Sequence, residues 1–282
     1  MDYRRLLLVT TGTTAFTALV GVLTATTGAG LTCEARWPLC DGAVFGLFPA
    51  NFMSFIEWSH RLVALITGFL IIGVTVSAWR GGRQRRIRLA TLLALALTPV
   101  QVVFGAFTVL VHQLVFGYSI LVLTLHFTLA SIILASLVAA TVWAYSEVID
   151  VTLDRIQQAG VAALLGFPVM VALTPRLFVG FGELTQFVYY GLGFAMFAAL
   201  CVVALWAREL DGHELRSVWL AGGLAAVLVI AQLVVARQAF GDAGQLTILA
   251  LSFVAFALTL ASVWRTRRLS GARTSATVPT SD

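Results

Sequence analysis

Long apolar runs separated by short polar joints make up nearly all of this chain. Eight such runs recur, near residues 6–30, 54–79, 89–111, 119–144, 159–178, 183–207, 218–239 and 246–264. Each can cross a hydrocarbon core of about 30 Å as a helix of roughly 20 residues. Hydrocarbon offers no partner to open backbone groups, so runs of this length predict helices rather than strands. Little chain remains for a soluble domain. The first run is long and lacks a convincing small-residue cleavage site before Cys33, so it reads as a signal-anchor helix rather than a signal peptide. The predicted fold is an all-α membrane protein with eight transmembrane helices.

Composition agrees with the pattern: of 282 residues, 60% are hydrophobic and 11% charged, the balance of a polytopic membrane protein. The charges then orient it. Every basic residue is arginine. Arg4 and Arg5 precede helix 1; Arg80, Arg83, Arg85, Arg86 and Arg88 fill the joint between helices 2 and 3. Arg155, Arg208 and Arg216 follow at the later even-to-odd joints, and Arg265, Arg267, Arg268 and Arg273 come after helix 8. All fall on one side, which the positive-inside rule makes cytoplasmic. Arg36, Arg176 and Arg237 lie toward the other side. Both termini are expected inside a plasma membrane, with the Cys33–Cys40 loop external. The net charge of +5 follows from this topology and calls for no nucleic-acid partner.

The chain also repeats itself. "FIEWSHRLVALITGF" opening helix 2 resembles "FGELTQFVYYGLGF" opening helix 6; "VQVVFGAFTV" in helix 3 resembles "AQLVVARQAF" in helix 7; "LTLHFTLAS" in helix 4 overlays "LTILALSFV" in helix 8. Each half holds an even number of helices, so two tandem four-helix bundles related by a pseudo-two-fold axis along the membrane normal are expected. The domains predicted are 1–145, a polar cytoplasmic linker at 146–158, a second half at 159–268 and a disordered cytoplasmic tail at 269–282. Across the repeat Glu57 matches Glu183, His60 matches Gln186, Arg61 matches Phe187, Gln101 matches Gln232 and His126 matches Leu249.

Candidate chemistry concentrates in the first half. Ionisable groups inside hydrocarbon cost about 3 kcal/mol or more, so His60 and His126 mark a functional site. They stand at matching depths on different helices, as axial ligands of one haem iron would. Glu57, one turn outward of His60 on the same face, could act as acid or base beside the ring. Arg61 could pair with a haem propionate. The structural alternative is a Glu–Arg or Glu–His pair stitching helices together. Gln101 could steady a ligand from behind, although an ordinary interhelical hydrogen bond is the stronger reading. Glu183 is expected to pair with Arg176. His112 and Tyr118 fall in the second external loop, Trp37 anchors at the interface or packs on a porphyrin edge, and Phe104, Phe107 and Phe127 read as packing. His213 lies in a solvated loop, so nothing in the second half replaces the missing imidazoles, and with Gln186 and Leu249 at the matched positions no haem is expected there.

Cys33 and Cys40 share the first external loop, where an oxidising exterior favours a disulfide over two free thiols. A zinc site would need further ligands nearby. Cys201 reads as packing.

Taken together, "CEARWPLCDG", "EWSHR", "GAFTVL" and "LHFTLA" resemble the haem A synthase family in its eight-helix form, most strongly over residues 10–140. The resemblance implies oxidation of the C8 methyl of haem O to a formyl group, giving haem A for terminal oxidases. It makes His60 and His126 the ligands of the substrate haem, Glu57 the catalytic carboxylate and Cys33–Cys40 a disulfide; the haem b that family members hold in the C-terminal half is put in doubt here by Gln186 and Leu249. Haem O synthase and the terminal oxidase assembly machinery become expected partners beside membrane lipid, with homo-oligomers allowed. The residues name no electron acceptor. The rival readings are a bis-histidine haem b electron-transfer protein, an oxidase assembly factor with a scaffold half, and a transporter.

Overall fold

The computed structural model describes residues 2–33, 36, 39–42, 47–111, 120–175, 177–210, 212–236 and 241–276. Eight helices carry the chain: α1 (Tyr3–Thr26), α2 (Phe52–Arg80), α3 (Arg85–Val111), α4 (Ile120–Ser146), α5 (Leu153–Ala172), α6 (Glu183–Glu209), α7 (Arg216–Ala236) and α8 (Gly241–Ala276). All eight include a stretch long and apolar enough to cross a membrane. Large apolar side chains point outward along them, Phe69, Val102, Leu165 and Phe253 among them. An apolar outer surface of that extent suits lipid and not water. The molecule is an all-helical, eight-span membrane protein, as the hydropathy pattern predicts.

Two helix boundaries differ from that pattern. Helix α5 begins at Leu153, inside the stretch expected to be linker, because Thr152 caps it by accepting from the Arg155 backbone N–H at 3.3 Å. Its first turn is not merely polar: Leu153 and Ile156 are buried against Val203, Ala207, Leu215 and Val218. Helix α8 runs on to Ala276, so residues 269–276, expected as tail, extend it. Ser270 there donates to Asp154 Oδ1 at 3.0 Å, and the arginines before it are good helix formers.

The chain packs as two compact units. The first comprises residues 1–141 and 180–191. Hydroxyl groups link its helices: Thr17 to Thr67 between α1 and α2, Thr11 to Thr141 between α1 and α4, and Thr75 to the Thr91 carbonyl between α2 and α3, at 2.8, 2.8 and 3.1 Å. In a membrane each such bond contributes about 0.6 kcal/mol. The second unit comprises residues 142–179 and 192–282. There glycines let helices approach closely: Gly160 faces Val263 and Val203, Gly166 faces Met196, and Gly193 faces Leu233, the small-residue packing that membrane helices favour.

Candidate functional site

The site is built on α2. Asn51 caps that helix, its side chain accepting from the Ser54 backbone N–H at 2.9 Å. Over the same first turn lies the Cys33–Cys40 disulfide, both of whose sulfurs are buried and sit 3.7 and 3.9 Å from the Ser54 carbonyl. The loop closed by the disulfide carries an ion pair, Arg36 to Asp41 at 2.6 Å. Its return is tight: Gly42 pairs with Pro49 at a backbone φ of +146°, and a side chain there would collide with the Phe48 carbonyl. The loop is thereby fixed to the start of α2, one turn from Glu57.

Glu57 is 5% exposed. Arg61, one turn further along α2, donates from Nε to Glu57 Oε1 at 2.6 Å, and both side chains are nearly buried. Oε2 lies on the side of Gly30. The Glu–Arg pair therefore exists, but it runs along one helix and links no two helices. Arg61, expected to meet a propionate, makes its ion pair with Glu57. Removing either partner would leave a buried charge uncompensated, which is strongly unfavourable.

His60 follows Glu57 by three positions and faces α1, where its ring lies against the Thr17 backbone and packs on Gly21. Its Nδ1 is buried with no hydrogen-bond partner. His126 on α4 faces α3: its Nε2 lies 3.3 Å from Gln101 Nε2, and its ring packs on Gly105. His60 and His126 stand within electrostatic reach of one another. All six of these residues belong to the first compact unit. Pro99, which cannot donate to the carbonyl four residues back, sits in α3 just ahead of Gln101.

Gln101 thus makes the interhelical hydrogen bond that its position in an apolar run suggests, and its partner is a candidate ligand, His126. Gly21 and Gly105 carried no polar signal; only the spacing of four from a polar neighbour, Thr17 and Gln101, marks them. Phe127 packs edge-on against Tyr190, with ring centres 5.6 Å apart, and Phe104 against Phe107 at 6.0 Å. Cys201 is a free, half-buried thiol. Trp37, His112, Tyr118, Arg176 and Arg237 lie outside the described residues, and with Arg176 the expected pairing of Glu183. Glu183 itself is exposed at the start of α6. Gln186 donates to the Phe181 carbonyl at 2.9 Å. Among the described residues no group of three or more His, Cys, Asp or Glu side chains could hold a metal ion.

The donor set suits a haem in the first unit: two imidazoles on separate helices, one with an open buried nitrogen, each ring backed by a glycine. The matched positions of the second repeat do not suit one, since neither an amide engaged with a backbone carbonyl nor a leucine ligates iron.

A Heme A synthase of Bacillus licheniformis is 33% identical over 135 residues, 48% of this chain and 42% of that protein. A Heme A synthase of Alkalihalophilus pseudofirmus is 36% identical over 130 residues, 46% of this chain and 42% of that one. A Protoheme IX farnesyltransferase of Halobacterium salinarum is 41% identical over 125 residues, 44% of this chain and 26% of that protein. The chain therefore spans between a quarter and somewhat over two fifths of the length of these relatives. The family model for COX15-CtaA, cytochrome oxidase assembly protein, matches residues 4–181, which include the disulfide, Glu57, both histidines and Gln101. This chain belongs to the COX15-CtaA family of cytochrome oxidase assembly proteins.

Proposed function

We propose that this chain is a haem A synthase, oxidising the C8 methyl of haem O to a formyl group and so supplying haem A to terminal oxidases. One observation carries the reading: Glu57 and His60 share a face of α2 inside the same unit that holds His126 against Gln101, with Glu57 buried and paired. A related segment occupies a quarter of a chain named for the farnesylation of protohaem IX, the modification that distinguishes haem O. A farnesylated macrocycle is too apolar for water, so a site between membrane helices suits it.

His60 and His126 hold the iron of the substrate. Bound there, haem supplies the redox chemistry. The protein supplies ligation, exclusion of water and proton handling. Conversion of a methyl to a formyl group needs an oxygen atom and an external acceptor for its electrons; with water as the oxygen source it releases protons, and Glu57, one turn from the ligand, is the carboxyl to receive them. Arg61 orients that carboxyl by binding Oε1, leaving the Oε2 side toward Gly30. The Cys33–Cys40 disulfide anchors the external loop above α2. The second repeat holds no haem and acts as scaffold. The protein resides in the plasma membrane with both termini cytoplasmic and the disulfide loop external. It acts beside haem O synthase and the oxidase assembly machinery.

Expression in a host that makes haem O, followed by chromatography of extracted haems, tests this. Haem A that disappears in His60→Ala and His126→Ala supports the synthase. Unmodified haem O or haem b alone, with full expression of the protein, overturns it.

A further inference from the structure

The two histidines are held in the same way by different helices. Along α1, Thr17 and Gly21 are four residues apart and together contact His60; along α3, Gln101 and Gly105 are four residues apart and together contact His126. A spacing of four puts each pair on one helix face. The glycines are closely filled. A Cβ built on Gly21 would stand 2.9 Å from His60 Cε1, and one built on Gly105 would stand 3.2 Å from His126 Cε1. Other glycines on these helices are unconstrained: a Cβ at Gly12 of α1, or at Gly68 or Gly73 of α2, meets nothing within 4 Å.

The second repeat supplies an internal control. Aligning "VQVVFGAFTV" with "AQLVVARQAF" keeps the glutamine, as Gln232, but sets Ala236 where Gly105 stands, and Leu249 replaces His126. Where the imidazole is gone, the glycine is gone too. Gln232 then bonds Ser252 at 2.9 Å instead.

We infer that Gly21 and Gly105 are positioning residues for the axial ligands: each is a seat that admits an imidazole edge-on and fixes its ring, so that α1–α2 and α3–α4 act as two equivalent ligand-bearing hairpins. The inference rests on the reading of this site as a haem site. It makes the glycine methyl, and not helix stability, the sensitive variable. Ala is the better helix former by about 1 kcal/mol, so any loss comes from the methyl meeting the ring; a purely structural role predicts lower folding stability while the folded protein binds haemin as wild type does.

The test is a titration of the purified full-length protein in detergent with haemin, read by the low-spin, bis-imidazole absorption and electron paramagnetic resonance signals. Gly21→Ala and Gly105→Ala are each expected to weaken haemin binding by about tenfold or more and to convert part of the low-spin signal to high-spin. Gly12→Ala should leave both unchanged. Gly105→Ala, the milder intrusion, keeps the test open if Gly21→Ala fails to fold. Wild-type affinity and a full low-spin signal in Gly105→Ala overturn the proposal. His60→Ala and His126→Ala in the same titration separate the two ideas. If they lose the low-spin signal while the glycine variants keep it, the haem site stands and the seats fall. If they bind as wild type does, the haem reading itself fails.

Discussion

Gln101 and Gln232 occupy matched places in the two repeats, yet their amides meet different chemistry. Gln101 reaches His126 at 3.3 Å. Gln232 accepts from Ser252 and lies 3.9 Å from the Met170 sulfur, fully buried. The matched glutamates diverge as sharply: Glu57 is buried and ion-paired, whereas Glu183 is exposed. A hydrogen-bonding amide deep in a helix bundle is therefore a scaffold device that both repeats share. An imidazole stands opposite the first of these amides and none opposite the second. The family match, over residues 4–181, falls largely on the repeat that has both.

Breaking the first repeat should have the largest effect. His60→Ala or His126→Ala should abolish the bis-imidazole spectrum of the haem-loaded protein, while Gln186→Ala, at the matched position, leaves it intact; a spectrum that survives both histidine changes would erase the distinction. Next in size, Glu57→Ala should retain bound haem but lower haem A output by on the order of 10²–10⁴-fold, measured by chromatography. Glu183→Ala should not change output, and equal losses from the two would mean that burial is not what separates them.

Smaller still is the effect on folding of splitting the buried pair. Arg61→Leu leaves Glu57 uncompensated and should cost about 3–5 kcal/mol in unfolding experiments. The double change Glu57→Gln with Arg61→Leu should recover much of that stability and none of the activity. The smallest effect sharpens the comparison of the glutamines. Ser252→Ala should cost about 0.6 kcal/mol and leave the haem spectrum alone, whereas Gln101→Leu should perturb the spectrum. A silent Gln101→Leu would reduce it to the same scaffold role as Gln232.

Spans and chemistry were both legible in the chain, but to different depths. The eight apolar runs gave eight helices because hydrocarbon permits almost no other backbone. Errors fell at ends such as Leu153 and Ala276, where a Thr152 cap or a run of arginines, rather than hydropathy, sets the limit. Glu57, His60 and His126 were conspicuous because charge and imidazole are expensive in a membrane. Arg61 was conspicuous too, but its partner was not: a spacing of four along a helix allowed the bond to Glu57 without requiring it, and only packed side chains selected it.

What the amino acids settled alone is the number and nature of the spans and which polar groups lie inside them. Each of these is a matter of solvation, which a residue carries with it wherever the chain places it. Which helix backs each histidine, that Gly21 and Gly105 are the seats, and that Gln101 touches His126 while Gln232 meets Ser252 were decided by tertiary packing. Glycine has no side chain to announce its role, and an amide takes whatever partner the neighbouring helix presents.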